Sequence, residues 1–449
     1  MESKNRKTKK KRHSHGMPVI NPYAAGIDVG DIDMEVAISD GVTGFEVRTY
    51  RSFTDDLKNL VSWLKSKSIS TVAMESTGIY WLNLYLMLEE EGIEPYLVNA
   101  RHVKNVTGRK KDDTDAIWLQ KLHCCGLLQK SFQPDGEIRT LRTYVRQRKN
   151  LISISSDSVR RMQKALELMN IKIHTVISDI LGKTGMNMIE AILSGVRDPD
   201  ELIKHKISRI KASDEEIRKS LVGIWKEEYL FMLKQAYDEY NFYQAQVADC
   251  DCKIQQSLLK QVAKVIDGDI SDLDCKKKRK LQKNESIFVI RPLLKIIAGI
   301  DLCDVEGFNE TTSLYMLSEI GTDMSKWHNK NCFAAWLNVA PNTKITGGKI
   351  ISSKMQKKKN HAGQVFRIVA HSCKSSKSPM GDYARKMRSR LGKKSGNVAT
   401  AHKLANIIYS LLKNKCPYDP LIIRSSEQKS KEKRIAYLEK QLKKLKEAS

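Results

Sequence analysis

The chain has 449 residues, 41% hydrophobic and 29% charged, with 78 Lys and Arg against 52 Asp and Glu, for a formal net charge of +26. That length allows a substantial core divided over two or three domains, and the basic excess favours a polyanionic partner through counterion release. No apolar run approaches the roughly 20 residues that cross a bilayer, and no signal-peptide core follows the Lys-rich start, so a cytoplasmic, nucleoid-associated protein is expected. The nine cysteines are scattered without a CxxC pair, which speaks against a zinc ribbon and for free thiols in a reducing compartment.

Residues 1–22 carry Lys10-Lys11-Arg12 and no apolar pattern, the composition of a disordered basic tail. From residue 23 the pattern changes to short strands at Ala24 to Val29, Met34 to Ser39 and Phe45 to Tyr50, separated by polar or Gly-containing turns as in an antiparallel meander. Leu57, Leu60, Val61 and Leu64 recur at helical spacing. A strand at Thr71 to Glu75, a helix at Ile79 to Glu90, a strand at Pro95 to Asn99 and a helix at Asp112 to Leu128 complete the first unit, 23–130. Meander strands followed by alternating helix and strand are the element order of the ribonuclease H fold.

Residues 131–265 read as helix. Leu141, Tyr144, Val145, Leu151 and Ile152 form one apolar stripe and Tyr229, Leu230, Met232, Leu233, Ala236 and Tyr240 another, with a break at Gly195 to Asp200. Such stripes pack on each other or on a second subunit, giving a helical coiled-coil or dimerisation region. A basic linker, 266–290, contains Lys276-Lys277-Lys278-Arg279-Lys280. The C-terminal domain, 291–420, begins with an apolar helix, a turn at Val305 to Phe308 and a helix to Ile320, resembling a helix-hairpin-helix whose turn amides hold phosphate. A charged helical tail, 421–449, follows. The fold class expected is α/β plus α.

Four carboxylates in the first unit bear on chemistry. Asp28 stands where the first strand leaves the sheet, and Glu75 ends the run Val72-Ala73-Met74. Asp112 and Asp115 follow the basic loop Gly108-Arg109-Lys110-Lys111 and, three apart on a helix, share a face. Each acid alone has a plain reading as a cap or strand end. Together, in a ribonuclease H topology, they surround one cavity suited to Mg²⁺ or Mn²⁺ acting on a phosphodiester.

A second constellation is Ala340-Pro341-Asn342-Thr343-Lys344-Ile345-Thr346-Gly347-Gly348-Lys349, then Ser352-Ser353-Lys354. Its glycines let backbone approach a ligand, a hydroxyl precedes them, and lysines flank the loop. It lacks the glycine and hydroxyl positions of a P-loop. A polar turn is the plain alternative. Arg367, His371, Arg385, Arg388, Arg390 and His402 follow on helical stretches within reach of nucleic-acid backbone.

Four motifs carry a resemblance over about 23–415: Gly26-Ile27-Asp28; Met74-Glu75-Ser76-Thr77-Gly78-Ile79-Tyr80-Trp81; Gly108-Arg109-Lys110-Lys111-Asp112 with Asp115-Ala116; and Leu317-Ser318-Glu319-Ile320-Gly321. In this order they resemble the DEDD transposases of bacterial insertion sequences, the IS-one-ten family, which includes the Piv invertase and bridge-RNA-guided recombinases. The resemblance implies a RuvC-like N-terminal domain, a helical insert and a C-terminal transposase domain. It implies Mg²⁺ bound by Asp28, Glu75, Asp112 and Asp115, a non-coding bridge RNA that pairs with donor and target DNA, and dimers assembling into a tetramer with a composite site between protomers. It also implies a nucleophilic serine that joins DNA covalently. The matching residue here is Thr346, whose extra methyl restricts its rotamer and crowds the line of attack, with Ser352 or Ser353 as substitutes. Arg109, Lys110, Lys111, Lys344, Lys349, Lys354 and Arg367 are the expected nucleic-acid contacts. The rival readings are a RuvC-like nuclease that uses water and a non-catalytic nucleic-acid-binding remnant.

Overall fold

The computed structural model describes residues 18–40, 44–76, 78–100, 103, 114–266, 284–357, 360–421, 435 and 439. Several features expected from the sequence lie outside these residues: nearly all of the basic tail, Thr77, the loop with Arg109, Lys110, Lys111 and Asp112, most of the 266–290 linker, and most of the tail beyond 421. The chain forms two compact units divided between Gln133 and Pro134.

The first unit is a five-stranded mixed sheet between helices. Strands β1 (Ala24–Val29), β2 (Asp33–Ser39), β3 (Phe45–Arg51), β4 (Thr71–Glu75) and β5 (Glu94–Val98) lie in the order β3-β2-β1-β4-β5. The first three are an antiparallel meander, and β1, β4 and β5 are parallel. Alternation assigns the faces. Ala25, Ile27, Val29, Met34, Val36, Val72, Met74 and Leu97 enter one core with the apolar stripes of α1 (Thr54–Ser66) and α2 (Trp81–Glu90). On the opposite face Ala73 and Val98 pack with Trp118, Leu119 and Leu122 of α3 (Asp115–Cys124).

Two helix boundaries differ from expectation. Helix α2 begins at Trp81 rather than Ile79 because Gly78 adopts positive φ, and the Trp81 indole donates to the Gly78 carbonyl at 3.2 Å. Helix α3 spans neither Asp112 nor Leu128. It opens after an extended Thr114, whose hydroxyl accepts from the Ile117 amide, and stops where Gly126 turns left-handed. Thr114 thus takes the capping role expected of Asp112. Asp112, and with it the shared face expected of Asp112 and Asp115, lies outside the described residues.

The second unit is mostly helical. Helices α4 (Gly136–Leu168) and α9 (Glu227–Ile266) run antiparallel, and α5 (Ile173–Val176), α6 (Lys183–Leu193), α7 (Pro199–Ile203) and α8 (Asp214–Leu221) pack around one end of the pair. Each stripe of the pair thus finds a partner in the same chain. Midway, the buried Arg148 of α4 meets Asp251 of α9 with Nε–Oδ1 at 2.6 Å. Asp251 is therefore spent on this ion pair, and Cys250 and Cys252 flank it as free thiols.

Helices α10 (Arg291–Ala298), α11 (Glu310–Ile320), α12 (Lys330–Trp336), α13 (His361–Cys373) and α14 (Pro379–Asn414) follow. Trp327, Phe333, Phe366 and Tyr409 cluster in their core. Helix α14 is two segments joined at Gly392, whose φ of 82° is not helical. The 305–308 turn is committed to packing, for a β-carbon on Gly307 would meet Cys373 Sγ at 2.6 Å, and Glu306 Oε2 accepts from the Met380 amide at 2.6 Å. Among the described residues no helix is long and apolar enough to cross a membrane.

Candidate active site

Helix α3 lies unusually close to the sheet because the strands beneath it carry small residues. Ala37, Gly26 and Ala73 stand in register across β2, β1 and β4. A β-carbon on Gly26 would lie 2.3 Å from both the Ala116 carbonyl oxygen and the Gln120 amide nitrogen, so only glycine admits the helix there. The Gln120 side chain donates to the Ala24 carbonyl at 3.3 Å, and Asn21 Nδ2 donates to the His123 carbonyl at 2.7 Å. Helix numbers fall as strand numbers rise, so α3 runs antiparallel to β1 and brings its first residue, Asp115, toward the Asp28 end. His123 anchors the other end of α3, its Nε2 lying 2.9 Å from Thr71 Oγ1, and burial pushes its pKa down to about 4. The ring is therefore neutral at physiological pH.

One step beyond the small residues lies an acidic rung. Asp28 pairs with Glu35 across β1 and β2. The parallel register that sets Ile27 against Met74 brings Asp28 level with Glu75 at the next step. All three share parity with Gly26 and Ala73 and so stand on the α3 face, with neighbouring backbones about 5 Å apart. Asp28 and Asp115 are exposed, and Glu75 and Glu35 are half-buried. Of the four acids expected in the site, the backbone thus brings Asp28 and Glu75 onto one rung and points the helix that starts at Asp115 to the same end. Asp112 lies outside the described residues.

Glu35 was not among the residues singled out from sequence. Its signal was the tight turn: the Gly30 amide donates to the Asp33 carbonyl at 3.0 Å, and a hairpin closed there pairs residue 28 with residue 35. Glu35 Oε1 is buried and has no hydrogen-bond partner. Backbone register sets this residue on the same rung as Asp28 and Glu75. Among the described residues no three His, Cys, Asp or Glu side chains converge as a ready-made cluster. The case for a cation at this end of the sheet therefore rests on backbone register alone.

Thr346 belongs to the second unit, where the expected loop is instead a β-hairpin. Strands β6 (Lys344–Thr346) and β7 (Lys349–Ser352) are antiparallel and pair Thr346 with Lys349. Gly347 and Gly348 form the turn with φ of 54° and 74°, the double left-handed geometry that suits a two-residue hairpin. Thr346, Lys344 and Lys349 are exposed, as are Ser353 and Lys354 just beyond, and Ser352 is half-buried. Arg367 donates to the Asn338 carbonyl, so part of its guanidinium holds the chain leading into the hairpin. The acid of the Leu317 to Gly321 motif is also structural. Glu319 is bidentate with Arg146 at 2.7 and 2.8 Å, and its backbone carbonyl accepts from Arg142 at 2.8 Å. Burial lowers the pKa of Arg142 to about 10, which leaves it charged.

Comparison with known proteins agrees with the motif order. Residues 25–171 match the DEDD transposase family of IS110 type, and residues 301–384 match the Transposase IS116/IS110/IS902 family. Together these matches span about half of the chain, one covering the acidic rung and the other running through and beyond the hairpin with Thr346. No curated protein matches it in sequence. The chain belongs to the IS110 family of DEDD transposases, enzymes that cut and rejoin DNA.

Proposed function

We propose that the chain excises and inserts a bacterial mobile element by cleaving DNA at a carboxylate-bound Mg²⁺ or Mn²⁺ site and holding the cut end on the Thr346 hydroxyl. The observation that carries this reading is the rung of Asp28 and Glu75 facing the start of α3. The strand order β3-β2-β1-β4-β5 supports a RuvC-like domain over 23–130, and the second family match supports a transposase domain within 291–420. Asp28, Glu75, Asp112 and Asp115 would hold the cation, which supplies Lewis-acid stabilisation of a scissile phosphate.

The chain's own groups do the rest. Two small glycines leave the Thr346 hydroxyl open to a sugar-phosphate strand, and Lys344, Lys349 and Lys354 offset the charge of the approaching phosphate. The threonine oxygen bonds phosphorus as its proton departs, and the displaced sugar oxygen takes up a proton. The diester count is unchanged, so the reverse attack by another DNA end rejoins the strand without ATP. Arg109, Lys110 and Lys111, which precede Asp112 in the sequence, and Arg367 are proposed to hold backbone phosphates.

The family resemblance extends this reading to an RNA guide that pairs with donor and target, with the protein reading backbone and shape. The helical region 131–265, whose α9 leaves Phe231 and Phe242 exposed, is the proposed route to dimers and a tetramer.

The test is to trap the covalent adduct on a denaturing gel, using full-length protein, labelled element ends, the element's non-coding RNA and Mg²⁺. Wild type should give an adduct that Thr346→Ala loses, while Asp28→Asn should abolish cleavage altogether. Cleavage without any adduct would identify a water-using nuclease, and an adduct surviving in Thr346→Ala would move the nucleophile to Ser352 or Ser353.

A further inference from the structure

We propose that Asn338 is a positioning residue that aims the hairpin carrying Thr346; the proposal rests on the reading of that hairpin as the bearer of the nucleophile. The first support is how the hairpin is held. Residues 341–350 are exposed throughout, Ile345 and Ile350 included, so burial does not pin the strands to the helices. A two-stranded hairpin is marginal on its own, and its direction is then set where it leaves the helical core. The chain departs just after α12, and the strands close where the Asn342 amide donates to the Lys354 carbonyl at 3.2 Å. Nearer the core, Asn338 Nδ2 donates to the Gln356 carbonyl at 3.1 Å across 18 positions. That bond closes the neck of the arm.

The second support is the residue type. Asn338 has a φ of 56°, its amide donates to the Ala335 carbonyl, and the Val339 amide donates to the Ala334 carbonyl, each at 3.0 Å. This is a Schellman ending for α12, in which the left-handed position is usually glycine. Asparagine there costs backbone energy that glycine would avoid, and what it adds is the amide that reaches Gln356. Asn338 is 5% exposed, so water competes little for that bond. Behind it, Arg367 of α13 donates to the Asn338 carbonyl, and the Arg367 carbonyl accepts from Asn397 Nδ2 of α14 at 3.0 Å. The neck is thus tied through Asn338 to two helices of the core. A hydroxyl must meet phosphorus in line, and a misplacement of about 1 Å can cost about 10²-fold in rate. An arm this exposed meets that demand through a rigid neck.

The experiment compares full-length wild type, Asn338→Gly and Asn338→Asp. It reads thermal melts, hydrogen exchange over residues 340–357, and single-turnover adduct formation with labelled element ends, the element's RNA and Mg²⁺. Glycine accepts the left-handed backbone and removes only the side-chain bond, so Asn338→Gly should keep or raise the melting temperature. It should nevertheless speed exchange in the hairpin and slow adduct formation about 10–100-fold, with the half-saturating DNA concentration unchanged. Asn338→Asp keeps the shape but turns an oxygen toward the Gln356 carbonyl. Its rate relative to wild type should climb as the pH is lowered, because a protonated carboxyl can donate. That variant supplies the reading if the glycine variant does not fold. Wild-type adduct formation per folded molecule in both variants, or unchanged exchange in the hairpin, would overturn the role of Asn338 and leave the Thr346 reading intact. An adduct that survives Thr346→Ala yet slows in Asn338→Gly would overturn Thr346 and keep Asn338 as the residue that aims the hairpin. Cleavage without any adduct in wild type would overturn both.

Discussion

At the scale of single residues, Gly26 sets the geometry of the acidic rung although it carries no functional group. A methyl there would meet backbone atoms of Ala116 and Gln120 at 2.3 Å. Neither is the end of a flexible side chain, so the whole of α3 must lift. That movement takes Asp115 away from Asp28. Gly26→Ala is therefore expected to cost about 1–3 kcal/mol by overpacking and to lower DNA cleavage further than the fraction of folded protein accounts for. Chemical denaturation and single-turnover cleavage of the same preparation check this. Wild-type cleavage per folded molecule would show that the closeness of α3 has no part in the chemistry.

At the scale of elements, the buried Arg148–Asp251 pair decides how the long helices of the second unit meet. Its side chains are 3% and 1% exposed, and Asp251 Oδ2 also accepts from the Ile287 amide at 3.3 Å. Asp251→Asn leaves a guanidinium buried without its counter-charge, at an expected cost of about 3–5 kcal/mol. Replacing both partners, as Arg148→Met with Asp251→Leu, should recover most of that loss in a denaturant titration. The stripes of α4 and α9 were legible in the sequence, since burial there follows helical spacing. The ion pair was not, because its members are 103 positions apart and periodicity carries no information on partners. The same division runs through the first unit. Asp28 and Glu75 declare themselves by ending apolar strands, and the start of β4 at Thr71 was read correctly. Glu35 hid inside an ordinary alternation until the turn fixed the register, and the start of α3 was misplaced because Asp112 and Thr114 are both good caps. The hairpin around Thr346 was missed because short exposed strands have no buried face to pattern them.

At the scale of the whole molecule, two opposed electrostatic features have separable tasks. The chain carries +26 overall, yet its candidate chemistry sits on carboxylates. The basic excess should govern affinity through counterion release, whereas the acids should govern cleavage through a bound cation. With six to ten phosphate contacts, DNA affinity is expected to fall about 10³–10⁵-fold between 50 and 200 mM salt. Chelation of divalent metal should leave that salt dependence nearly unchanged while abolishing cleavage. Fluorescence anisotropy with labelled duplex, run over a salt series with and without EDTA, measures the first quantity, and cleavage of the same duplex with the element's RNA measures the second. Asp28→Asn should behave as the chelated wild type in both assays, and its DNA affinity should rise slightly because one like charge near the phosphate is gone. Loss of DNA binding on chelation would instead mean that the cation bridges protein to backbone in the ground state, and the division of labour between surface charge and site would fail.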